Sequence, residues 1–272
     1  MPDVRRTRRL ATGWGDRFFR LYMLLYLAYL LAPLIVIVLY AFNTSKYIIW
    51  PIEGWTFGWF QDAFSDSRLI ESLRNSIVIA TATMMLSVIA ATGFAYGMVR
   101  YKFRGKALLE TLNVLAIITY GIVCAVAVLL WFRTLGIPGG IWPTIIVHTT
   151  YIFPFAVMVI RDRLLNFDLE LEEAAMDLGA SRIRTFRDIT LPLISPAILA
   201  AGLFCFTISL GEFLLAFFMI GNELTLPIYL YGKMRFTFTP AVNAAATMII
   251  AFPVVVVILS ALFFRREVES LY

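Results

Sequence analysis

The chain has 272 residues, of which 61% are hydrophobic and only 15% charged, with a mean hydropathy of +0.83. A water-soluble domain of that length carries about a quarter charged residues, so the composition excludes an ordinary soluble protein and points to a membrane protein. The formal net charge of +5 comes from basic residues spread over many loops, which excludes a single nucleic-acid-binding patch.

Six apolar stretches are long enough to cross a bilayer as helices, at about 20–42, 75–99, 108–132, 142–160, 197–220 and 241–264. The first is too long for a signal-peptide core and lacks a small-residue cleavage site after Phe42-Asn43, so it is expected to be retained. Residues 1–19 read as a basic cytoplasmic segment, 20–264 as one membrane domain, and 265–272 as a cytoplasmic tail. Of the 23 Lys and Arg, seventeen fall on one side of this layout and six on the other. The positive-inside rule therefore places both termini in the cytoplasm. Trp14, Trp50, Trp55, Trp59, Trp131 and Trp142 lie near span ends, where indole favours the headgroup level.

Between the first two spans, Thr56 to Arg74 mixes aromatic and aliphatic residues with charges and reads as a helix along the outer surface. Gly93 and Gly97 form a G-x-x-x-G that suits close helix packing. Pro154 and Pro253 are expected to kink the fourth and sixth spans. Cys124 and Cys205 both lie in apolar stretches, which supports neither a disulfide framework nor a metal site. The single His148 argues against a multi-histidine centre as well. No phosphate loop of the form G-x-x-x-x-G-K-[ST] occurs, and no catalytic array is present, so the chain reads as a non-enzyme.

The longest polar interval inside the hydrophobic region is 161–195. Asp168 reads as a helix cap, with Glu170, Glu172 and Glu173 in the first turns, where the helix dipole favours negative charge. Gly179 suits a left-handed helix end, and Ser181 suits the cap of a second short helix. That helix groups Ile183, Phe186 and Ile189 on one side and Arg182, Arg184 and Arg187 on the others. Leu191-Pro192 is expected to stop it, and Ser195-Pro196 to restart helix. From amphipathicity alone, this segment is either a knob that fits a groove on another protein or a connector lying on the membrane surface.

Glu173-Ala174-Ala175, then Gly179, then Ile189-x-Leu191-Pro192 after nine residues matches every defined position of the cytoplasmic loop in permeases of binding-protein-dependent ABC importers. Trp59-Phe60-x-x-x-Phe64, Asn75-Ser76 and Arg100-Tyr101-Lys102-Phe103-Arg104-Gly105 resemble the same family. The resemblance implies an all-α integral membrane protein of the type I importer fold, with six transmembrane helices and a coupling-helix loop, in a bacterial inner membrane. It implies coupling roles for Glu173, Ala174, Ala175, Asp177, Gly179, Ser181, Arg182, Ile183 and Phe186. It further implies a second homologous permease, two ATPase subunits that use ATP and Mg, an extracytoplasmic solute-binding protein, and no cofactor on this chain. A secondary transporter, the alternative, would leave the loop unexplained.

Charged and polar groups inside spans are candidate pathway residues. Glu212 is the clearest, expected well inside the fifth span, with Ser209, His148, Tyr151 and Asn243 behind it. Helix–helix hydrogen bonding is the alternative role for each. The chain looks most similar to the spermidine/putrescine branch. Gly211-Glu212 nevertheless stands where that branch tends to carry paired aspartates. Ser209-Leu210-Gly211-Glu212-Phe213 also resembles permeases for oxyanions and other small solutes, which keeps amino-acid derivatives, sugars and phosphonates open.

Overall fold

A computed structural model describes residues 14–45, 51–236, 240–248, 250–251, 254–255 and 258. The basic segment before residue 14, Trp50, Pro253 and the tail 265–272 lie outside the described residues, as does much of the sixth stretch. The chain divides into two units, 1–63 with 238–251, and 64–237 with 252–272.

In the first unit, α1 (Trp14–Ala41) is a 28-residue helix whose apolar outer surface suits a hydrocarbon environment. Beyond it, Asn43 pairs with Trp55 as an antiparallel bridge. The Trp59 indole donates to the Asn43 carbonyl at 2.6 Å, and Phe42 packs against Phe57 and Phe60. Residues 240–248 are helical, as are the described positions beyond them.

The surface helix expected over 56–74 is divided. Short α2 (Gly58–Ser65) ends at Asp66, whose carboxylate accepts the N–H groups of Arg68 and Leu69 and so starts α3 (Ser67–Arg100) eight residues ahead of the expected span. The second unit continues with α4 (Lys106–Ile118), α5 (Gly121–Thr134) and α6 (Ile141–Leu165). The third expected span is thus two helices, bent by 108° where Thr119 and Tyr120 turn extended. Helix α6 runs unbroken through Pro154.

Short α7 (Glu170–Asp177) and α8 (Arg182–Thr185) follow, then α9 (Leu191–Gly211), α10 (Leu214–Met219) and α11 (Leu226–Phe236). Among the described residues, four helices are long and apolar enough to cross a membrane, or five if α4 and α5 form one broken span.

The core of this unit is the α3–α6–α9 packing. Ala91 and Ala95 of α3, Ala156 of α6 and Ala201 of α9 are all buried, and their small side chains let the three helices approach. Ile152, Ile160, Leu164 and Ile194 fill the space between them. Gly93 and Gly97 meet no neighbour within 4 Å among the described residues of this chain. Packing falls instead to Ala91-x-x-x-Ala95, whose side chains project toward α6 and α9.

Candidate functional site

The segment between α6 and α9 is built by local rules. The Asp168 carboxylate accepts the Glu170 N–H at 3.1 Å and opens α7. At the other end, the Gly179 N–H bonds the Met176 carbonyl and the Ala180 N–H bonds the Ala175 carbonyl, closing the helix around Gly179 at φ +88°. This paired reverse bonding needs a left-handed residue, which glycine supplies without steric cost. The Ser181 hydroxyl then accepts the Arg184 N–H and starts α8.

The expected stop at Leu191-Pro192 is absent. The chain passes from α8 through a wider turn at Phe186–Thr190, where the Leu191 N–H reaches back five residues to the Phe186 carbonyl, straight into α9. Pro196 has no N–H for the Pro192 carbonyl, and the Ser195 hydroxyl donates to that carbonyl at 2.8 Å instead. The two prolines are absorbed by one wide turn and one side-chain hydrogen bond.

Of the expected apolar ridge, only part faces outward. Leu178 is 90% exposed and Ile183 is 83% exposed, so two large apolar side chains stand almost bare beside Gly179. Asp177, Arg182, Arg184 and Arg187 are exposed around them. Phe186 turns inward, edge-on to the Tyr96 ring at 4.8 Å. Glu173 and Ala174 are exposed, and Ala175 is half-buried.

The neighbouring carboxylate, Glu172, is the buried one. Its oxygens meet Nε and Nη2 of Arg100 at 2.9 and 3.0 Å, with the two side chains only 9% and 5% exposed. The Thr190 hydroxyl donates to Glu172 at 2.8 Å, and Arg100 also reaches the Leu164 carbonyl at 3.5 Å. One buried cluster thus ties the ends of α3 and α6 to α7 and to the entrance of α9. The Arg100 guanidinium lies over the Phe167 ring, and that of Arg182 over Tyr101. The sequence marks Glu172 only as a first-turn acid and Arg100 only as part of the Arg100–Gly105 stretch, and it does not single out Thr190. Helix periodicity gives no signal for the burial of Glu172, since Leu169 and Met176 on its side of the helix are themselves exposed.

The expected pathway residues divide. His148 on α6 is 1% exposed, and its Nδ1 lies 2.9 Å from the Ser209 hydroxyl on α9. Tyr151, one turn on, packs against both the α3–α6–α9 core and a cluster formed by α5, α6 and α10. Glu212 does not sit within a continuous span. Helix α9 ends at Gly211, and one Glu212 oxygen accepts the N–H groups of Leu214 and Leu215 at 3.0 and 3.2 Å, so the carboxylate starts α10. Glu212 is half-buried and within electrostatic reach of Tyr151 and Cys124. Asn243 belongs to the other unit, where its carbonyl accepts the Thr247 hydroxyl.

At the far end of α3, Asn75 donates to Glu223 and to the Leu224 carbonyl, while the Ser76 hydroxyl accepts the Leu226 N–H at 2.8 Å. Asn75-Ser76 thereby fixes the turn into α11. In the same region Gly139 and Gly221 touch backbone to backbone, and a Cβ on Gly139 would fall 2.9 Å from Gly221.

The family of binding-protein-dependent transport system inner membrane components matches residues 83–269. The spermidine/putrescine transport system permease protein PotC of Haemophilus influenzae is 34% identical over 256 residues, 93% of this chain and 99% of that protein. The putrescine transport system permease protein PotI of Escherichia coli K12 is 33% identical over 84% of each chain. Among solved structures, a bacterial ABC transporter involved in alginate import superposes with a TM-score of 0.69 at 16% identity, over 92% of this chain and 97% of that one. Family match and shared fold agree: this chain is a multi-pass membrane protein of the binding-protein-dependent transport system permease family.

Proposed function

We propose that this chain is one of two paired membrane subunits of an ABC importer that carries a polyamine, spermidine or putrescine, into the cytoplasm. Residues 20–264 form the permease domain, flanked by the basic segment 1–19 and the tail 265–272, with both termini cytoplasmic. The lysine and arginine asymmetry supports that orientation. The partners are a second homologous permease, two ATPase subunits that bind ATP and Mg, and an external solute-binding protein. Polyamine transport is supported by the names of the relatives, which align with 93% and 84% of this chain.

The observation that carries the mechanism is the bare apolar pair Leu178 and Ile183 beside a buried ion pair. Exposed apolar side chains rimmed by charge mark a protein contact, and here the ATPase subunit takes them. When ATP draws the two ATPases together, the tip formed by residues 177–183 moves with them. The Arg100–Glu172–Thr190 cluster passes that motion to α3, α6 and α9 instead of letting the loop swing alone. Differential affinity of the ATPases for ATP in the two states supplies the free energy of the switch. Glu212, at the break between α9 and α10, gives a cationic solute a negative partner, beside Tyr151 and the His148–Ser209 pair.

Uptake of labelled putrescine and spermidine by cells lacking this chain tests the substrate. Restoration by the wild-type chain, with no competition from phosphonate or sugar, supports the reading. Restoration of another solute's uptake alone removes the polyamine assignment and keeps the importer.

A further inference from the structure

The wall between α4 and α6 holds a cavity of about 480 Å³ that the transport mechanism does not use. Its polar end is formed by Glu110 and Asn113 of α4 and Arg161 of α6. Arg161 Nη2 lies 3.1 Å from Glu110, both side chains being roughly 40% exposed (42% and 39%). Two buried atoms there have no hydrogen-bond partner among the described residues: the Arg161 Nε and the Asn113 Oδ1. Burying such atoms unpaired is unfavourable, so a ligand that pairs them is stabilised. Apart from Thr111, whose hydroxyl donates to the Ala107 carbonyl, the remaining wall is apolar, from Phe94, Val114, Leu115, Ile118 and Val157.

Helix α4 is turned inside out for a soluble protein. It has no buried residue, and Leu108, Leu112, Leu115 and Ile118 are exposed. Glu110 and Asn113, three residues apart, both line the cavity. The cavity therefore combines a donor, an acceptor and a carboxylate at one end with hydrocarbon along its length. Arg161 is followed by Asp162-Arg163, near the end of α6, where a span meets the headgroups.

The geometry points to a site for one membrane lipid with a zwitterionic phosphoethanolamine headgroup, seated between α4 and α6 on the coupling-segment side. Charge decides the choice of lipid. Phosphate accepts from the Arg161 Nε, while the ammonium donates to Asn113 Oδ1 and to Glu110. Phosphatidylglycerol can offer Asn113 a hydroxyl, but it brings no cation to Glu110 and sets its phosphate against that carboxylate uncompensated. A choline headgroup has no N–H to give. The acyl chain then lies along Val114, Leu115 and Ile118.

The test is native mass spectrometry of the assembled transporter, extracted from bilayers with equal amounts of phosphatidylethanolamine, phosphatidylglycerol and phosphatidylcholine. The wild type should retain phosphatidylethanolamine roughly tenfold over the other two, the discrimination expected from one hydrogen bond to a charged group. Glu110→Gln should erase that preference and Asn113→Leu should narrow it, whereas Arg161→Gln should lower retention of all three lipids, whose phosphate it serves. If Arg161→Gln does not assemble, the three-headgroup comparison on the wild type decides alone. Equal retention of all three lipids, or side chains of the neighbouring permease filling the cavity, overturns the proposal.

Discussion

Arg100 ends α3 and Glu172 lies in the first turn of α7, and their side chains meet as a two-pronged ion pair at 2.9 and 3.0 Å. Both groups are nearly removed from solvent, so neither tolerates loss of the other. Breaking one side of such a pair typically costs about 3–5 kcal/mol, because a charge stays buried without its partner. Arg100→Met or Glu172→Leu alone should lower the unfolding midpoint of the detergent-solubilised protein sharply. The double replacement should recover most of that loss. Recovery of stability without recovery of transport would separate the cluster's mechanical role from its structural one.

Gly179 tests the coupling tip by a different physical route. A Cβ there would meet no atom within 4 Å, yet φ is +88°. The penalty for substitution is therefore conformational, about 1–2 kcal/mol for a non-glycine residue in left-handed backbone. Gly179→Val should keep the protein in the membrane but uncouple ATP hydrolysis from uptake. Gly179→Asn, which tolerates this conformation better, should fall between Val and the wild type. Wild-type uptake by the Val variant would remove the tip from the mechanism.

Glu212→Gln separates charge from capping. Glutamine keeps an oxygen for the Leu214 and Leu215 N–H groups that Glu212 now serves. Start of α10 is thereby preserved while the negative charge is lost. Uptake of a polyamine should show a raised KM, with protein abundance unchanged. Unaltered kinetics over a wide concentration range would leave Glu212 a cap and nothing more.

The Asp66 clamp gives a pH dependence with a definite sign. Burial pushes the Asp66 carboxyl up, but the Tyr229 hydroxyl at 2.5 Å, the Leu69 N–H and Lys233 outweigh it and hold the group below its ordinary 3.8. A depressed carboxyl contributes stability above its unfolded value and loses it as pH falls through the folded one. Lys233 is raised above 10.5, first by its hydrogen bond with Tyr229, so its contribution is full below that value and lost as pH rises beyond it. Asp66 and Lys233 are 30% and 43% exposed, and solvent screening keeps the pair below about 1 kcal/mol. Thermal midpoints measured from pH 3 to 11 should show a shallower acid limb in Asp66→Asn than in the wild type. Parallel acid limbs would show that the clamp does not hold α11 in solution.

The parts of the coupling segment legible in sequence were those set by neighbours along the chain. Gly179 and Ser181 end one helix and start the next by rules that span only a few residues. Glu172 was hidden by its adjacent twin Glu173, since only a partner 72 residues away makes one of them buried. The prolines misled for a related reason. Pro192 and Pro196 read as a break, but the wide turn at 186–190 and the Ser195 hydroxyl meet the backbone's needs without one. Glu212 reads as mid-span from hydropathy, which does not register that a carboxylate can take over two backbone donors and end the helix itself. Gly93 and Gly97 carry the right spacing on a side that the described residues of this chain leave open.

The most direct measurement is ATP hydrolysis by the reconstituted transporter, with its partner permease and ATPases, against binding proteins loaded with putrescine, spermidine, amino acids, sugars or phosphonates. The account predicts stimulation by the polyamine-loaded protein alone, with uptake following hydrolysis in the wild type and failing in Gly179→Val. Stimulation by a different loaded protein, or no ATPase partner at all, would contradict it.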